Sequence, residues 1–278
     1  MAVRLSDLLI NTLGELRYQP TLKPVRVMAG GEVVADTTRA VVVWEPRRVV
    51  PSYAVPVEDL AAELMPAPPR TEEVPSRLAQ VGGMKIYTPD TPFAFHTCPG
   101  TQLTVGRGAQ RWVGAAYAPD DPALAGYVIL DFAAFDWFEG DEALLAHPRD
   151  PFSRIDVRAS SRRVRLEHRG HVVAESVRTL ALYEGVILPP RYYLPMSDVQ
   201  IELRPSPTRT SCAYKGQASY WSGLVGGEVL EDIAWSYPEP LPDMSLIKGR
   251  VALFNERLDV FIDDVRQQAV VTPWSRKD

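Results

Sequence analysis

A chain of 278 residues, 46% hydrophobic and 23% charged, has the length and composition of one large or two small folded domains. Its net charge of −5 argues against non-specific nucleic-acid binding, which needs a basic surface to displace phosphate counterions. A local basic cluster such as SSRRVR (Ser160–Arg165) is too short to reverse that balance.

In residues 1–20, Leu9, Leu13 and Leu16 recur at helical spacing after Ser6, a good N-cap, so a short helix is expected from Ser6 to about Leu16. Asp7 and Glu15 interrupt its apolar portion. It therefore lacks the core of a signal peptide, and no run of the chain reaches transmembrane length. The expectation is a cytoplasmic protein with no membrane partner.

From Val25 the pattern changes to strands. VRVMAGGEVVADT alternates apolar and polar residues around Gly30 and Gly31, a hairpin signal, and AVVVW supplies the next strand. The 25 prolines and 18 glycines are scattered along the chain, which favours many short elements joined by tight turns. A segment rich in proline and charge, 66–83, reads as a loop insertion. GYVILDF then reads as a buried strand.

The pattern returns at Val164. VRVMAGGEVVADTTRAVVVWEPRRVVPSYAVPVEDLAAEL, from Val25, aligns without a gap with VRLEHRGHVVAESVRTLALYEGVILPPRYYLPMSDVQIEL. Glu45, Tyr53 and Asp59 recur as Glu184, Tyr192 and Asp198. Later matches are looser: Cys98 in HTCPGTQLTV aligns with Cys212 in TSCAYKGQAS, and GYVILDF with GRVALF. The chain is a tandem duplication. Two small, mostly β domains are expected, at 21–150 and 151–278, the first diverged and carrying the insertion.

The motifs VVADTTRAVVVWEP, DWFEGDEALLAHPRDPFSRIDV, VVAESVRTLALYE, PPRYYLPMSDV, TSCAYKGQASYW and DIAWSYPEP resemble the bacterial domain-of-unknown-function family number 427, which also carries a nucleotidyltransferase-like label. The resemblance runs over nearly the whole chain as a tandem pair. It implies a small all-β fold similar to the β-tent architecture, whose other members bind metal or act on oxidised methionine. It implies no function. The label has no counterpart in the residues, since no Gly-Ser turn precedes an Asp-x-Asp pair and no G-x-x-x-x-G-K-[ST] loop is present.

Three constellations could carry chemistry. Cys212 with Lys215, flanked by Thr210 and Tyr214, suggests a thiolate lowered by an ammonium. On a regular strand, however, Lys215 points away from Cys212 unless Gly216 marks a turn. The bland alternative is a buried cysteine acting as a small hydrophobe. The second, EGVILPPRYYLPMSD, offers Glu184, Arg191, Tyr193 and Asp198. Arginine supplies a planar fork for an anion and tyrosine a wall. Arg191 and Tyr193 stand where the first copy has Ser52 and Ala54, which marks them as the better functional candidates. The third, HPRDPFSRID (His147–Asp156), reads first as a salt-bridge network.

His96 and Cys98 permit a metal pair, but two ligands are not a site and a packed histidine is the simpler reading, so no metal is expected. No motif names a cofactor. The leading expectation is a pocket in the second repeat that binds a small polar or anionic molecule. Arg191 and Lys215 would supply charge, Tyr193, Tyr214 and Trp235 the walls, and Cys212 reactivity. An enzyme using Cys212 and a non-catalytic interaction module are the alternatives.

Overall fold

A computed structural model of the chain describes residues 2–69, 78–81, 84–185, 188–272 and 275. Residues up to 79 and from 84 to Asp150 form one compact unit, and the chain from Pro151 forms most of a second. The protein is mostly β, with one short N-terminal helix.

In the second unit a seven-stranded antiparallel sheet runs edge to edge through Ile155–Ser160, Thr179–Glu184, Arg191–Pro195, Arg250–Leu253, Glu228–Ser236, Gly216–Val225 and Leu203–Cys212. In the first unit Arg17–Pro20, Val41–Trp44, Ser52–Pro56, Tyr127–Leu130, Gln110–Pro119, Gly100–Arg107 and Glu63–Pro66 take the same places in the same order. Each unit adds a four-stranded sheet around a hairpin, Val25–Ala29 with Glu32–Thr37 and Val164–His168 with His171–Ser176.

The hairpins form where the sequence signals them. Gly30 and Gly31 have φ of 58° and 84°, and Arg169 and Gly170 have 48° and 81°. Two successive positive φ values give the turn whose twist suits paired strands. Alternation buries Val25, Val27 and Ala29 in one unit and Val164, Leu166 and His168 in the other. The continuous apolar run Val41–Trp44 is buried along its whole length, as a central strand covered on both faces requires. Each unit has its own core, one around Val27, Tyr53 and Leu130, the other around Leu166, Leu194, Ile233 and Leu253.

Two elements depart from expectation. The helix spans Leu5–Asn11 and gives way to a 3-10 turn at Thr12–Gly14; it starts after Arg4, so Ser6 lies inside it and does not cap it. None of its residues is buried, so no core contact extends it to Leu16. Of the expected loop insertion 66–83, residues 70–77 and 82–83 lie outside the described residues, and Leu78–Val81 is a strand that pairs with Met84–Tyr87 just beyond it. In the second unit the chain follows another course at this point. Leu203–Cys212 continues as a ten-residue edge strand, whereas its counterpart Glu63–Pro66 stops after four. The long strand carries Pro205 and Pro207 and shifts register between Pro205 and Arg209.

Candidate functional site

The predicted residues of the second unit mostly meet, but as a packed lattice. Leu203–Cys212 ends in a tight turn over residues 213–215 that returns as Gly216–Val225, with Cys212 opposite Gly216. Gly216 has φ of 103° and an added Cβ would sit 3.2 Å from the Glu239 carbonyl. Glycine is therefore what lets the chain turn here. The turn buries Lys215 and sets its Nζ 2.5 Å from Glu184 Oε2. Its ammonium is thus engaged by a carboxylate and is not held for the thiol, while Cys212 packs on the apolar core. Tyr214 is half-buried in the same turn.

Strand register explains why the glutamate is repeated. Leu103 pairs with Ala116, which pairs with Leu130; Trp221 pairs with Ala234, which pairs with Leu253. Counting back by equal steps sets Thr97 at the place of Lys215, and Cys98 at that of Gly216. The expected match of Cys98 with Cys212 is corrected accordingly. Both loops bind the glutamate at the end of a strand four places away in the sheet order, Glu45 after Val41–Trp44 and Glu184 in Thr179–Glu184. Thr97 donates its backbone N–H to Glu45 Oε2 at 2.6 Å, and His96 Nδ1 lies 3.0 Å from Glu45 Oε1. His96 stacks on Tyr117 with ring centroids 3.5 Å apart, the packed histidine of the simpler reading. Arg48 adds hydrogen bonds to the carbonyls of Thr91, Pro92 and Phe95. Burial, and then the Glu45 carboxylate, push the Cys98 thiol up to about 12, so it stays protonated at neutral pH.

Glu45 makes a pH prediction. Burial pushes its carboxyl up, but the His96 hydrogen bond, the Thr97 N–H and Arg48 outweigh it and hold it below its ordinary value. A depressed folded pKa stabilises fully above the unfolded value of about 4.3 and is lost as pH falls through the folded one. Thermal melts of the wild type should hold steady down to about pH 5 and fall steeply below about pH 4. Glu45→Gln should flatten that acid limb; an unchanged limb would show that Glu45 is not the group responsible.

Arg191 and Tyr193 lie on the next strand. Tyr193 is buried and its hydroxyl accepts from Trp235 Nε1 at 3.1 Å. Burial keeps the phenol protonated far above its ordinary range. Arg191 is buried too, with its guanidinium carbon 5.4 Å from the Trp235 ring centroid and 5.9 Å from that of Phe254. Both of its terminal nitrogens reach Glu256, each at 2.5 Å. The fork expected to await an anion already holds an internal one. Asp198 bonds Ser176 at 2.6 Å and Arg178 at 2.5 Å. Asp59 bonds Thr37 and Arg39 in the same way in the first unit, so this carboxylate sits in a clamp that both units share. Of the third constellation, Arg154 pairs with Asp156 at 2.9 Å on the surface of the second unit.

The family model described as a domain of unknown function (DUF427) matches residues 17–77 and 156–264, more than half of the chain. The chain belongs to that family. Among curated proteins, none matches it. Among the described residues of this DUF427 chain, no three His, Cys, Asp or Glu side chains gather closely enough to hold a metal ion. Nor is any of their helices long and apolar enough to cross a membrane.

Two shallow, open clefts lie among the described residues, and neither is lined by Lys215 or Arg191. The one in the first unit, about 730 Å³, is lined by Glu32, Glu63, Arg107 and Arg111 among others, and Arg107 pairs there with Glu32. The one in the second unit, about 490 Å³, is lined by Ser160, Ser161, Val177, Thr179, Leu180 and Arg250, with Ala159 and Arg178. No acidic residue lines it. Arg178 is neutralised by Asp198, but Arg250 has no carboxylate within salt-bridge distance among the described residues. Its side chain donates from Nη1 to the Arg178 carbonyl at 2.5 Å. Thr179, 1% exposed, keeps a hydroxyl without a hydrogen-bond partner among the described residues.

Comparison of the DUF427 repeats singles out the same residues. Pro195 pairs with Arg250 as Pro56 pairs with Tyr127, so Arg250 stands where the first unit has Tyr127. Tyr127 makes the same bond, from its hydroxyl to the Arg39 carbonyl at 3.2 Å. Thr179 replaces Ala40 and Ser161 replaces Leu22, in the register set by the Leu180–Ala159 and Val41–Pro20 pairs. Sequence reasoning missed these positions. The signal was Gly249-Arg250 set against Gly126-Tyr127 in the matched strands GRVALF and GYVILDF.

Proposed function

We propose that this protein binds a small anionic molecule in its second unit, at the Arg250 cleft and not around Lys215 and Arg191, with the first unit a diverged scaffold. One observation carries the reading: Arg250 is a cation without a carboxylate partner among the described residues, on the wall of a cleft that no acidic residue lines. The cleft, about 490 Å³, is wide open to solvent and has room for a small molecule. Ser161 supplies an exposed hydroxyl donor where the first unit has Leu22. Lys215 and Arg191 each already hold a carboxylate, which leaves them little to offer a ligand. Both cysteines are free, in keeping with a bacterial cytoplasmic setting.

The test is Arg250→Tyr, which installs the first unit's residue together with its bond to the carbonyl of residue 178. The variant should therefore fold. Anion binding by the wild type, measured by calorimetry at low ionic strength, should be saturable and should weaken at least about tenfold in the variant. Equal binding by both proteins would move the site elsewhere.

A further inference from the structure

We infer that the anion taken by the Arg250 cleft is a carboxylate borne on a short apolar chain, and not a phosphate; this rests on the anion-binding reading above. Charge is the first argument. The cleft presents one uncompensated cation, because Arg178 is already paired with Asp198. One such cation matches a monoanion. A phosphate monoester near neutral pH brings close to two negative charges, and the second would meet no cation.

Donor count is the second argument. The bond to the Arg178 carbonyl occupies Nη1 of Arg250, which leaves the Nε–Nη2 edge of the fork as a planar, two-donor face. That face suits the two oxygens of a carboxylate bidentately. The exposed Ser161 hydroxyl brings the total to three donors. An ionised carboxylate has about four lone-pair sites, so these donors would meet most of them and leave one side of the head to water.

The lining supplies the third. Leu180 is 8% exposed and Val177 is 54% exposed, and with Ala159 they give the cleft an apolar side. Val177 stands where the first unit has Thr38. The second unit has therefore exchanged a hydroxyl for a methyl on this side while gaining hydroxyls on the other. A ligand that places a charged head against Arg250 and a few methylenes against Val177 and Leu180 would gain about 0.8 kcal/mol per buried methylene.

The experiment titrates the full chain at pH 7 and low ionic strength with sodium acetate, sodium butyrate, sodium phosphate and phenyl phosphate. Calorimetry reads affinity, and amide NMR shifts at Thr179, Leu180 and Arg250 read location. Butyrate should bind more tightly than acetate and shift those amides. It should weaken about 10- to 100-fold in Arg250→Tyr and about 2- to 10-fold in Ser161→Ala. Phosphate or phenyl phosphate binding more tightly than butyrate at the same amides would overturn the carboxylate assignment and leave the anion site standing. No saturable shift with any of the four would overturn the anion site itself. Butyrate binding that survives Arg250→Tyr unchanged would overturn both.

Discussion

Replacing Arg191 by alanine should cost the second unit about 3–5 kcal/mol, the penalty for removing one partner of a buried pair. Its side chain is 8% exposed and that of Glu256 0%. Without the guanidinium, Glu256 would be a desolvated charge with Thr272 Oγ1, at 2.6 Å, as its remaining side-chain donor. Burial pushes the Glu256 carboxyl up, and the bonds from Arg191 and then Thr272 outweigh it to hold the group below its ordinary value. Losing Arg191 should therefore favour the protonated acid. The double variant Arg191→Met, Glu256→Leu, with the charge gone from both sides, should be more stable than Arg191→Ala alone. Urea melts of the three proteins, followed with a probe in the second unit, measure this. An Arg191→Ala midpoint equal to wild type would show that the pair carries no stability.

The second large effect lies at the turn. Glu184→Ala should destabilise by about 3 kcal/mol, because it strands the Lys215 ammonium in a site where that side chain is only 9% exposed. Lys215→Met should be milder. Glu184 is 18% exposed, so water reaches the orphaned carboxylate more readily than it reaches the ammonium. The double variant Glu184→Ala, Lys215→Met should recover much of the loss through a coupling of roughly 1–3 kcal/mol. Thermal or urea denaturation of the four proteins closes that cycle. A coupling near zero would mean the 2.5 Å contact is geometry without energy. An ion pair with this role explains Lys215 without any reaction at Cys212.

How far the sequence could be read depended on the range of each interaction. The hairpins at Gly30-Gly31 and Arg169-Gly170 are local, set by period-two alternation and a residue tolerant of positive φ. They were legible at once, as was the duplication, since Val25–Leu64 and Val164–Leu203 align without a gap. Glu45 and Glu184 were legible as a repeated residue but not as a clamp. Their partners come from a loop whose alignment depends on strand register, and the two cysteines pointed to a register four residues away. Arg191 and Tyr193 were singled out together from one motif, but the partners that bury them, Glu256 and Trp235, lie far along the chain. The Arg250 cleft was hidden most completely. Thr179, Ser161 and Arg250 are ordinary polar residues on separate strands and loops, and only sheet pairing brings them together.

The ten-residue edge strand Leu203–Cys212 bears on how this protein behaves at high concentration. An open sheet ends in unpaired backbone groups that can recruit a strand from another molecule. A chain with two such sheets offers its neighbours several places to add on. Pro205 and Pro207 carry no N–H to offer a new strand, the Arg204–Glu202 pair and Arg209 set charged groups along the edge, and the register shift between Pro205 and Arg209 twists it out of line. These features blunt the exposed edge of the second unit against strand addition. They lie in residues with no part in the cleft, so substitutions in the cleft leave them intact.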